Sequence, residues 1–242
     1  MNRTGTFIRS FIPRHVSNRT FLRLYWLAAL IHVSRRTSNI NYEKNLLQLR
    51  SMNRELQNTG SAYIENQNEW SEIMYGAGSH HNMKYSGCEI IATYNALKAV
   101  GALVGCDAAE SMAGLIRYYE TNGAALLGEF GVSPKAIETY FVRQGFSVTA
   151  TDKDDNKDID AVDGKSRVLI VTVYNDMNDI TKQVHTVCIT KEAVTGYVLH
   201  NAYCRDEQGV YKESIPYTTL QEAISHISGY EPKLIYLIGI ES

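Results

Sequence analysis

One stretch of the 242-residue chain joins a thiol to backbone geometry that can activate it: Tyr85-Ser86-Gly87-Cys88-Glu89-Ile90-Ile91-Ala92-Thr93-Tyr94-Asn95-Ala96-Leu97. Ser86 followed three residues later by Glu89 has capping-box spacing, which predicts a helix with Ser86 as N-cap, Gly87 first and Cys88 second. Ile90, Tyr94 and Leu97 keep helical spacing, and Gly101 is placed to end the helix in a left-handed cap. A cysteine in a first helical turn lies near unpaired N–H groups and the positive end of the helix dipole, which favours thiolate. The neighbouring Glu89 carboxylate works against that, so the thiol needs a base from elsewhere in the chain. His185, in a strand-like run, and Asn201, sixteen residues further on, are downstream groups of the right type. Each also has a plain structural alternative: a packing thiol, a hydrogen-bonded core histidine and a turn-capping asparagine.

The elements that must position these groups change in period along the chain. Helical spacing covers Asn41 to Gly60, where Leu46, Leu47, Leu49, Met52 and Leu56 mark the apolar side. Residues 61–84 are polar and aromatic and read as a loop. Its His80-His81 pair has no acidic or cysteine partner at ligand spacing, so it is not read as a metal site. Asp107 with Glu110 forms a second capping box, and Ser133-Pro134 opens a helix running to Gly145. Asp152 to Asp163 is charged enough to read as a solvated loop, and it lacks the glycine and terminal glutamate of a calcium loop. After it come β-branched runs at 168–174, 184–190 and 196–200, a fourth expected strand at 209–215, a short helix from Thr219, and a closing strand at 234–240. Helices first and an antiparallel sheet afterwards predict an α+β fold.

Composition narrows the classes. A 44 % hydrophobic content fills a core, which excludes a disordered chain or a disulfide-dense miniprotein. Cysteines 88, 106, 188 and 204 form neither a CxxC pair nor a zinc spacing, so reduced thiols are expected. Seven arginines and no acidic residue occupy residues 1–42, and the rest of the chain is acidic on balance. Such an arm suits an acidic surface or an anionic membrane, and no specific nucleic acid is expected. The apolar run from Leu24 to Val33 is too short to span a bilayer and lacks a small-residue cleavage site. Residues 1–60 therefore read as a basic, helical N-terminal extension, a pro-segment or anchor, ahead of a domain over residues 61–242. Localisation leans cytoplasmic, with secretion or membrane association left open.

A cysteine at a helix start, a strand histidine and an asparagine ending the next strand, in the order Cys88, His185, Asn201, resemble the papain-like cysteine peptidase superfamily, most closely its bacterial C39-like branch. The Gly131-Val132-Ser133-Pro134 stretch, with Ile137, Tyr140 and Phe141 after it, also looks like the helix that follows the catalytic helix in that branch. The resemblance covers roughly residues 75–242 and implies a nucleophile-bearing helix packed on a C-terminal antiparallel sheet. It implies peptide-bond hydrolysis through a thioester, with a peptide or protein substrate and no cofactor or metal. Cys88 would attack the carbonyl carbon, His185 would take the thiol proton and later protonate the leaving amine, and Asn201 would orient the imidazole through its side-chain oxygen. Deamidation, acyl transfer or peptide binding without catalysis are the alternative outcomes on the same framework. The glutamine such enzymes usually carry about six residues before the cysteine is replaced here by Asn82, the expected amide donor to the oxyanion.

Overall fold

The computed structural model describes residues 16–28, 33–52, 63–77, 82–123, 131–180, 183–192, 196–202, 216–227 and 233–241. Among these, the helices are α1 (Asn18–Ala28), α2 (Arg35–Ser51), a one-turn α3 (Met83–Ser86), α4 (Cys88–Ala99), α5 (Ala108–Asn122), α6 (Pro134–Arg143), α7 (Asn156–Asp163) and α8 (Leu220–Ser225). The strands are β1 (Val148–Thr151), β2 (Val168–Tyr174), β3 (Val184–Glu192), β4 (Gly196–His200) and β5 (Leu234–Ile240). They form one antiparallel sheet in the order β1-β5-β2-β3-β4, so the fold is α+β as expected. The strand expected at 209–215 and the His80-His81 pair lie outside the described residues.

Helices cover both faces of the sheet. Val168 and Ile170 of β2, Cys188 of β3, and Ile238 and Ile240 of β5 join Ile90, Ile91 and Leu97 of α4 in one core. The alternate residues Leu169, Val171 and Val173 of β2, with Val187 and Ile189 of β3, pack instead with Ile159 and Val162 of α7 and Leu220 and Ala223 of α8. That is why β2 is apolar almost without interruption: both of its faces are buried. Helix α4 is buried from Cys88 through Leu97, as befits a helix enclosed on all sides. It ends as expected, with Gly101 at φ 78° and the Ala102 and Gly101 N–H groups on the Leu97 and Lys98 carbonyls.

Several expectations are corrected. Residues 156–163 are a helix, not a solvated loop: Asp155 caps it through the Asp158 N–H, and Ile159 and Val162, three apart, bury its inner side. Strand β1, only four half-buried residues, follows a helix end and has no counterpart in the sequence pattern. Helix α2 begins at Arg35, six residues before the expected start, because Ser34 caps the Thr37 N–H.

The expected boundary at residue 60 lies outside the described residues, but part of the segment expected ahead of it packs into the domain core. Val33 and Leu49 belong to the main core beside α4 and α5. Buried Asn45 of α2 closes a two-way amide pair with Met74, accepting from its N–H and donating to its carbonyl at 2.8 Å each. Asn41 donates to the Gly76 carbonyl and to buried Glu120 of α5. Residues 33–52 are therefore part of the domain rather than a detachable segment. Asn45→Ala strands both Met74 backbone groups and is expected to cost about 2 kcal/mol. A guanidinium unfolding curve with one transition and a lowered midpoint checks this, whereas two separable transitions would restore the idea of an extension. Among the described residues no helix is long and apolar enough to cross a membrane.

Candidate active site

The site forms where the start of α4 meets the β3 edge, beyond the point at which β4 ends. Cys88 is the first residue of α4, and Gly87, not Ser86, is the N-cap. Ser86 instead closes α3, whose own cap is Asn82: the Asn82 side-chain oxygen accepts from the Tyr85 N–H at 3.0 Å. The capping box fails because Glu89 turns inward. Its carboxylate, wholly buried, takes the Cys88 thiol at 3.2 Å on Oε2 and the Thr186 hydroxyl at 3.5 Å on Oε1. Gly131 lies directly over that carboxylate: a Cβ there would sit 2.0 Å from Glu89 Oε1, at φ 56°. Thr186 in turn bonds Thr172 across the sheet at 3.0 Å.

His185 and Asn201 form a second, adjoining group. The His185 Nε2–H donates to the Asn201 backbone carbonyl at 2.7 Å. A carbonyl only accepts, so this contact selects the Nε2–H tautomer and leaves the lone pair on Nδ1. The expected bond from the Asn201 side-chain oxygen is absent because that oxygen accepts from the Gln67 N–H at 3.0 Å, while Nδ2 donates to Gln67 Oε1 at 3.2 Å. Cross-strand pairing of His185 with Val173 puts it on the sheet face of Val187 and Ile189, whereas Thr186 and Cys188 face α4. Among the described residues the thiol and the imidazole do not bond to each other. They are linked through consecutive residues of β3, His185 and Thr186, and the thiol's own partner is the Glu89 carboxylate.

Burial disfavours the charged form of each group in this site. Burial pushes the Cys88 thiol well above its ordinary value, and the Glu89 charge and hydrogen bond push the same way, against the Thr186 and Glu89 backbone N–H groups. Burial raises Glu89 to about 7, opposed mainly by its own N–H, the thiol and the Val132 N–H. Burial lowers His185 to about 4, with the Asn201 carbonyl pulling back. Two buried phenols, Tyr75 and Tyr119, are also raised, chiefly by burial and further by the Glu89 charge. Cys88, Cys106 and Cys188 are free thiols, and among the described residues no cluster of ligands could hold a metal ion.

No family model, curated protein or solved structure matches the chain. Glu65 and Gln67 carry no mark of site residues in the sequence. They lie more than twenty positions before Cys88 in a stretch with no periodicity, and no local signal points to them.

Proposed function

We propose that the chain is a thiol-dependent acyl-transfer enzyme, a cysteine peptidase or amidase with a papain-like arrangement, in which Cys88 forms the thioester. The observation that supports it is a helix-start thiol whose carboxylate partner bonds Thr186, next on β3 to an imidazole whose tautomer is set by the Asn201 backbone carbonyl. Nδ1 of His185 carries the basic lone pair, and helix-start N–H groups are at hand for a developing oxyanion. Asn82 keeps only its amide nitrogen for such a task, since its oxygen caps α3. In the resting site the thiol points its proton at Glu89, so attack begins with the thiol turning away from that carboxylate.

The test is acylation by p-nitrophenyl acetate with the acyl group mapped by mass spectrometry. A burst of nitrophenol with acetyl on Cys88, abolished in Cys88→Ala and slowed about 100-fold or more in His185→Ala, is the expected result. Labelling confined to the exposed Cys106 would end the proposal.

A second reading, a peptide-binding domain without catalysis, draws on one observation: the thiol bonds Glu89 while burial holds both it and His185 neutral. The same burst experiment separates the two.

A further inference from the structure

The segment from Tyr63 to Gln67 runs as a strap between α4 and the end of β4. On α4, the Asn95 side chain accepts from the Ile64 N–H and donates to the Ile64 carbonyl, both at 2.9 Å. At β4, the Glu65 carboxylate takes His200 Nδ1 at 2.7 Å on Oε1 and the Asn201 N–H at 2.9 Å on Oε2. The far nitrogen of His200 meets the Thr190 hydroxyl at 2.9 Å, and the Tyr63 ring lies against the imidazole with centroids 3.9 Å apart. Gln67, buried, grips the Asn201 side chain at both ends and donates through Nε2 to the Lys84 carbonyl at 3.0 Å, four residues before Cys88.

Every polar group of Asn201 is thereby engaged: N–H by Glu65, Oδ1 and Nδ2 by Gln67, and carbonyl by His185. Asn201 itself sits at φ 63°, left-handed backbone that asparagine tolerates better than other non-glycine residues. The direction of its carbonyl, and so the tautomer of His185, depends on those restraints. Glu65 supplies the one that acts on the backbone, and it is anchored on its other oxygen by a buried histidine.

We infer that Glu65 is a positioning residue for His185, acting through the Asn201 backbone that it fixes in the left-handed conformation. This rests on the reading of Cys88 and His185 as the working groups of a thiol acyl-transfer site. The Glu65 carboxylate accepts two N–H donors, one on each oxygen. Leucine accepts neither, whereas glutamine would keep both contacts if His200 moved its ring proton to Nε2 and accepted from the new NH₂ group.

The test uses the full chain with ¹⁵N-labelled histidine and the acetylation of Cys88 by p-nitrophenyl acetate. The parent protein is expected to show His185 as a single Nε2–H tautomer. Glu65→Leu is expected to split that ring signal between two tautomers and to slow Cys88 acetylation about tenfold or more, while Glu65→Gln keeps the tautomer and most of the rate. Asn95→Ala, which frees the strap at Ile64 without touching Asn201, is expected to leave the His185 tautomer unchanged. Should Glu65→Leu not fold, a split His185 signal in Glu65→Ala that Asn95→Ala lacks supports the inference, and an unchanged signal in Glu65→Ala overturns it. A single unchanged tautomer in Glu65→Leu, or an equal effect of Asn95→Ala, overturns the inference while the enzyme reading stands. An inert Cys88 in the parent chain overturns both together.

Discussion

Gly131→Ala is expected to cost about 4 kcal/mol or more, enough to unfold a domain of ordinary stability over much of its working range. Two penalties combine at this position. The backbone sits at φ 56°, where an L side chain costs about 1–2 kcal/mol. The new methyl would also lie 2.0, 2.4 and 2.5 Å from Oε1, the carboxyl carbon and Oε2 of Glu89. A glutamate tip on the surface would swing aside cheaply, but this one is sealed at 0 % exposure and engages the Cys88 thiol and the Thr186 hydroxyl. The strain is separable from the clash. The double variant Gly131→Ala, Glu89→Ala should fall well short of the sum of the two single losses, because deleting the carboxylate removes what the methyl strikes. Chemical denaturation of the four proteins measures that coupling, and strictly additive losses would show that residue 131 does not press on Glu89.

The second large effect concerns pH, and its two contributions have opposite signs. Glu89 rises from about 4.5 unfolded to about 7 folded. Between those values the folded chain holds a proton that the unfolded chain has released, so its contribution to stability is full below about 4.5 and is lost as pH rises through about 7. His185 falls from about 6.5 unfolded to about 4 folded. Its contribution is full above about 6.5 and is lost as pH falls through about 4. Each amounts to about 3 kcal/mol, since every tenfold change in proton affinity between the folded and unfolded chain is worth about 1.4 kcal/mol. These two contributions therefore nearly cancel in their pH dependence from about pH 4.5 to 6.5. The single variants should expose them: His185→Phe should leave stability falling as pH rises across this range, and Glu89→Gln should leave it rising. Denaturation midpoints from pH 4 to 8 test this, and two variants with slopes of the same sign would refute it.

These two residues also show what the sequence could and could not disclose. The strands around His185 were legible because buried β-branched runs have few other uses. Which face His185 takes was not, because a strand covered on both sides is apolar at nearly every position and its alternation carries no sign. The Ser86–Glu89 pair had the spacing of a local cap, yet Glu89 is claimed by tertiary partners on β3 and at Val132. Propensity could not weigh a partner ninety-seven residues away. Helix α7 was hidden by its charges, since only Ile159 and Val162 face inward. The order of thiol, histidine and asparagine was visible from residue types alone. The residues that hold Asn201 in place were not, because Glu65 and Gln67 act through side chains on an irregular segment where spacing has no meaning.

Strand β5 stands between β1 and β2, although it follows every other strand in the chain. During synthesis on a ribosome, β1 emerges without a neighbour, and β2, β3 and β4 can zip together while β2 still shows a bare edge. That edge stays open until residues 234–240 clear the exit tunnel, some sixty residues after β2 has done so. Pairing of such long range is slow, and an uncovered apolar strand is the part of a nascent chain that sticks to others. Ribosome-bound chains stalled before Leu234 should therefore need chaperone cover that chains released after Ile240 do not.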